Sequence, residues 1–139
     1  MGGADKVNAL IGIAPSNHGT KIELTPSPAV LTTNSACRAC DQQSAGSRFL
    51  QKLNAGRDVE KGPYYTVIST THDEVVTPYT SQALAGPESH VTNLVIQDYC
   101  PADPIEHDQT PNDPVVQQIV SAALNRENGP ANPRFQPTC

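Results

Sequence analysis

The chain has 139 residues, enough for one hydrophobic core, with a net charge of −5 at pH 7 and 37% apolar residues. It carries no long basic run, which excludes nucleic acid as a main partner because phosphate binding needs a clustered basic surface. Its apolar residues fall in three short runs, none near the roughly 18 residues that cross a bilayer, so stable membrane insertion is excluded as well.

Read from the start, Met1-Gly2-Gly3-Ala4-Asp5-Lys6 lacks the apolar core of a signal peptide. The expectation is therefore either a protein that is not exported as it stands or a true N-terminus lying upstream. The first apolar run, Val7 to Ala14, is short, β-branched in character and bounded by turn residues, and predicts a strand. Ile22 to Leu31 is apolar but proline-bearing, and reads equally as a surface loop or as part of an acyl pocket or its cover.

Cys37-Arg38-Ala39-Cys40 has the spacing of a redox motif or of half a zinc site, and no two further zinc ligands are evident. From Asp41 to Gly56, Ala45, Phe49, Leu50 and Leu53 recur at helical spacing and predict one helix. Tyr64 to Thr70 predicts a second strand, and a brief helix fits near Ser81 to Leu84. Val91 to Gln97 predicts a third strand. In the last helix Asp113 caps, Pro114 takes the first position, and Val115, Val116, Ile119, Val120, Ala123 and Leu124 form the apolar stripe. The segment 127–139 reads as an extended tail, and its final Cys139 suits a disulfide that pins it. Four cysteines, an even number, point to an oxidising compartment.

Strands separated by helical crossovers imply an α/β fold, a parallel sheet with flanking helices. Three such strands leave an unpaired edge on the first, which predicts further strands elsewhere in the protein.

Chemistry in open parallel sheets gathers at the carboxyl ends of the strands. After the second strand comes Thr71-His72-Asp73-Glu74-Val75-Val76-Thr77-Pro78, and after the third a loop from Asp98 delivers His107. An acid after one strand and a histidine after the next are the last two members of the α/β-hydrolase order serine, acid, histidine. The spacing leaves competitors in place: Glu74 and Glu106 for the acid, and His18, His72 and His90 for the base.

The acid segment, taken with Gly12-Ile13-Ala14-Pro15-Ser16-Asn17-His18-Gly19-Thr20, resembles secreted actinobacterial lipases of the α/β-hydrolase fold. A fungal lipase group with the same Asp-Glu-hydrophobic-Val-x-Pro loop is similar at a greater distance. The resemblance covers essentially the whole chain, read as the C-terminal part of one hydrolase domain, residues 1–139. It implies a carboxylic ester hydrolase, Asp73 as acid and His107 as base, and no cofactor. It also implies two disulfides, Cys37 to Cys40 and Cys100 to Cys139, and a secreted parent protein.

The family's serine sits in a Gly-x-Ser-x-Gly elbow, and no such segment occurs in these residues. Ser44, Ser47 and Ser89 lie near glycines without that elbow, and Ser16 follows the first strand. The expected partners are a lipid or other ester substrate and, if the chain is split, the N-terminal half of the same hydrolase. A hydrolase-like binding module without catalysis is the alternative, and a redox protein using Cys37 a third.

Overall fold

The computed structural model describes residues 3–21 and 37–139. The Ile22 to Leu31 segment, read above as loop or acyl pocket, lies outside the described residues, as do Met1 and Gly2.

Three parallel strands, β1 (Ala9–Ile13), β2 (Tyr64–Ser69) and β3 (Val91–Val95), pair in chain order with β2 in the middle. Ile13 stands opposite Ile68, and Ile68 opposite Leu94. β2 is buried along nearly its whole length, as a central parallel strand with both faces covered must be. The outer edge of β1 pairs with no strand among the described residues, and Val7 and Leu10 beside it are exposed.

The last helix, α4 (Pro114–Leu124), forms where its cap and stripe place it. Asp113 accepts the Val116 N–H at 2.9 Å, Pro114 opens the first turn, and Val115, Val116, Ile119 and Ala123 are buried. These side chains pack with Ile68, Leu94, Ile96 and Ala131 into the core on one face of the sheet. Leu124, read as part of the stripe, is 67% exposed because it ends the helix beyond the sheet-covering turns.

Three expectations are corrected. The single helix over Asp41 to Gly56 is two short ones, α1 (Arg38–Gln43) and α2 (Arg48–Leu53). Gly46 turns the chain at φ 78° between them, and Ser47 caps the second by accepting the Leu50 N–H. Only Leu50 of the expected apolar face is buried; Phe49 and Leu53 are exposed. The third strand stops at Val95, and Ile96 to Gln97 open a single helical turn, α3 (Ile96–Tyr99), that buries Ile96. The brief helix expected at Ser81 to Leu84 is a 3₁₀ turn at Tyr79–Gln82.

Two disulfides are formed, Cys37–Cys40 and Cys100–Cys139. The second closes a 39-residue separation, and the tail it holds returns Ala131 and Phe135 to the α4 core. No helix among the described residues is long and apolar enough to cross a membrane.

Candidate active site

β2 and β3 end side by side, with Ser69 opposite Val95, so the loops that follow them rise from one edge of the sheet. The loop after β2 turns at once: the Asp73 N–H reaches the Thr70 carbonyl at 3.3 Å. Asp73 then closes a turn of its own, its Oδ1 accepting the backbone N–H groups of Val75 at 2.9 Å and Val76 at 2.7 Å. Val76 is buried and anchors that turn. Thr77 and a cis Pro78 follow, with the Thr77 N–H donating to Thr20 Oγ1 and the Thr77 carbonyl accepting from the Lys21 N–H.

The loop after α3 is folded by two polar residues. Asp103 Oδ1 accepts the Ile105 N–H, and the Ile105 carbonyl accepts the buried Thr70 hydroxyl at 2.7 Å. Gln97 binds the two loops together: its amide N–H₂ donates to Thr70 Oγ1 and to the Asp103 carbonyl, and its oxygen accepts the Thr71 N–H. The 3₁₀ segment His107–Asn112 starts there, with buried Thr110 bonding back to the Glu106 carbonyl through both its N–H and its hydroxyl.

This folding brings Asp73 Oδ2 and His107 Nδ1 to 2.8 Å. The Asp73 side chain is sealed from solvent, whereas that of His107 keeps 26% exposure. A carboxylate oxygen facing Nδ1 selects the tautomer with the proton on that nitrogen, leaving the Nε2 lone pair available. Nε2 has no hydrogen-bond partner among the described residues. Asp73 Oδ2 takes a second donor, Gln82 Nε2, at 2.7 Å. Four donors thus surround a buried carboxylate, which is how a buried charge is compensated.

The competitors stand elsewhere. His72 and Glu74 are exposed beside Asp73, and Glu106 is exposed with its carbonyl, not its carboxylate, in use. They line, with Asp73 and Ile105, an open cleft of about 600 Å³ between the two loops. His90 lies against the Tyr64 ring at a centroid distance of 5.3 Å and meets Ser89 Oγ at 3.0 Å, a contact between chain neighbours. His18 pairs with Asp58 at 3.2 Å and with the Ser81 carbonyl at 3.0 Å. Ser44 and Ser47 are spent on bonds to the Cys40 and Gln42 carbonyls. Among the described residues no group of three or more His, Cys, Asp or Glu is placed to hold a metal ion.

Sequence reading passed over Gln82, Gln97 and Thr70. Thr70 and Gln97 stand at the ends of predicted strand runs, and a buried amide such as that of Gln82 leaves no periodic trace.

A parallel α/β sheet that offers a carboxylate–imidazole pair at its carboxyl edge defines a hydrolase-like α/β chain. Its residues 4–120 match the family Lipase (class 2), and the chain belongs to that family. Among solved structures it is similar to lipase B of Aspergillus fumigatus, with a TM-score of 0.79 and 25% identity over 95% of this chain. The match takes in 33% of the fungal lipase, so these 139 residues span about a third of that chain's length. No curated protein matches.

Proposed function

We propose that this chain supplies the acid and the base of a serine-dependent carboxylic ester hydrolase. The observation that carries the reading is the 2.8 Å contact between Asp73 Oδ2 and His107 Nδ1, with the acid buried and the ring's far nitrogen without a partner among the described residues. In this reading a serine Oγ attacks the ester carbonyl while His107 Nε2 takes its proton, and His107 returns that proton to the departing alcohol. Asp73 holds the tautomer and balances the imidazolium that forms. Water then releases the acyl group by the same proton path in reverse.

The serine and the oxyanion donors lie, on this reading, in a segment preceding these residues, because none of the 139 forms a Gly-x-Ser-x-Gly elbow. Lipid esters are the substrate class the family suggests, and no cofactor is required. The two disulfides support an oxidising, extracellular setting.

The missing elbow also favours a second reading, a hydrolase-like binding module without catalysis. Reading the gene upstream of Met1 and assaying p-nitrophenyl butyrate separates the two. The first expects a Gly-x-Ser-x-Gly segment shortly upstream, hydrolysis by the joined protein, and none by the 139 residues alone. A gene without that segment, coding for a chain silent toward esters, leaves the binding module standing.

A further inference from the structure

We infer that Gln82 is a positioning residue of the Asp73–His107 pair: its buried amide fixes the carboxylate oxygen on which His107 is aligned. The inference rests on the reading of that pair given above.

Gln82 has no solvent exposure, and its Nε2 donates at 2.7 Å to the same Oδ2 that faces His107 Nδ1. Its own Oε1 is buried with no hydrogen-bond partner among the described residues. An unmade acceptor in a sealed site is unfavourable, and an apolar side chain of similar volume would fill the same space without it. Packing therefore does not account for an amide at this position. The bond to Asp73 does.

The two N–H groups of Val75 and Val76 hold Oδ1 alone. The carboxylate is planar, so Oδ2 moves only if Oδ1 turns with it about the Cβ–Cγ bond, and two bonds on one oxygen limit that turn without fixing the plane that meets the imidazole. A donor on Oδ2 from a second direction removes that freedom, as outer partners do for other oriented imidazoles. The turn that bears the amide is itself held by the loop after β1. Asn17 Nδ2 donates to the Gln82 carbonyl at 2.6 Å, the His18 N–H donates to the Ser81 carbonyl at 3.1 Å, and the Ser81 hydroxyl donates to the Gly19 carbonyl at 2.7 Å. The Asn-His-Gly segment thereby acts on the site at one remove, through the Tyr79–Gln82 turn.

The test is proton NMR of the 139-residue chain, following the far-downfield Nδ1–H signal of His107, assigned by its disappearance in His107→Ala. Gln82→Met removes the donor and the orphan acceptor together. It is expected to lower the thermal midpoint, because the buried carboxylate loses one of its four donors, while the His107 signal shifts or is lost to exchange. Asn17→Ser, a change at a partly exposed residue, is expected to move the signal the same way by a smaller amount, and it decides the matter if Gln82→Met does not fold. A signal unmoved in both folded variants, or unmoved in Asn17→Ser alone where the other is unfolded, overturns the role of Gln82 and leaves the pair intact. No His107 signal in the parent chain, at any pH where it is folded, overturns the pair itself.

Discussion

On the proposed reading of Asp73 as the acid, replacing it with asparagine separates what the carboxylate does for the reaction from what it does for the fold. Four donors converge on it: Val75 and Val76 N–H on Oδ1, and Gln82 Nε2 and His107 Nδ1 on Oδ2. An amide accepts at one oxygen only, so its NH₂ must take the other position. With the oxygen kept by the two backbone donors, the NH₂ faces Gln82 and His107. Gln82 can turn its amide over and accept through Oε1, the atom that has no hydrogen-bond partner among the described residues. His107 can accept through Nδ1 only by carrying its proton on Nε2, where it can no longer act as a base. The fold thus has an escape and the reaction has none. Stability should fall by about 1–3 kcal/mol, for one buried donor left unmade and the loss of charge-assisted bonds. Turnover should fall about 10⁴-fold, or roughly 5–6 kcal/mol in the barrier, as when the orienting acid of other triads is made an amide. Thermal unfolding of the chain and kcat on p-nitrophenyl butyrate, measured on the protein that includes the serine segment, read the two quantities. A kcat within tenfold of the parent would refute the tautomer reasoning.

Opening the Cys100–Cys139 link with the double change to serine should cost about 4 kcal/mol, from the loop entropy of its 39-residue separation. Urea midpoints of the two proteins check this, and a difference under about 1 kcal/mol would contradict the loop-entropy account. Gly19→Ala should destabilise by roughly 2–4 kcal/mol, because φ is +78° and a Cβ would meet the Gln43 carbonyl oxygen at 2.6 Å and Leu50 Cδ1 at 2.7 Å. Gly46→Ala, at the same φ with nothing within 4 Å, should cost only the backbone strain of about 1–2 kcal/mol, and equal losses in thermal melts would contradict the crowding at Gly19. Burial first and Asp98 second push the Tyr99 phenol above its ordinary 10.0, while its hydroxyl donates to the Pro133 carbonyl at 2.9 Å. A raised value in the folded state means stability that is whole below the ordinary phenol range and lost as pH rises through the higher one. Alkaline unfolding of Tyr99→Phe should accordingly show a weaker pH dependence than the parent.

What the sequence disclosed follows the physics of each element. The strands showed as short β-branched runs because burial of β2 on both faces demands continuous apolar residues, Val67 and Ile68 among them. α4 was readable because its cap, its first-turn proline and its buried stripe all lie within one segment. The Asp41 to Gly56 region misled because the apolar spacing of Ala45, Phe49 and Leu53 ran across a break. Gly46 and Ser47 are punctuation that outweighs periodicity there. Val95-Ile96-Gln97 looked like strand since β propensity does not register that Ile96 must turn into the core and Gln97 must reach two loops.

At the site, strand-end placement found the loops of Asp73 and His107 but could not choose between Asp73 and Glu74, which are neighbours with opposite fates, one sealed and one exposed. Gln82 and Gln97 were beyond reach because they act through contacts six and more residues away in sequence, with no motif to mark them.

The proposed reading has His107, aligned by Asp73, move the proton in ester hydrolysis. Its most direct test is kcat for p-nitrophenyl butyrate in the protein that carries both the serine segment and these 139 residues, compared with His107→Ala. A loss of about 10⁴-fold or more, with KM and the unfolding midpoint nearly unchanged, is the predicted result. Hydrolysis that survives the loss of the imidazole would contradict the account.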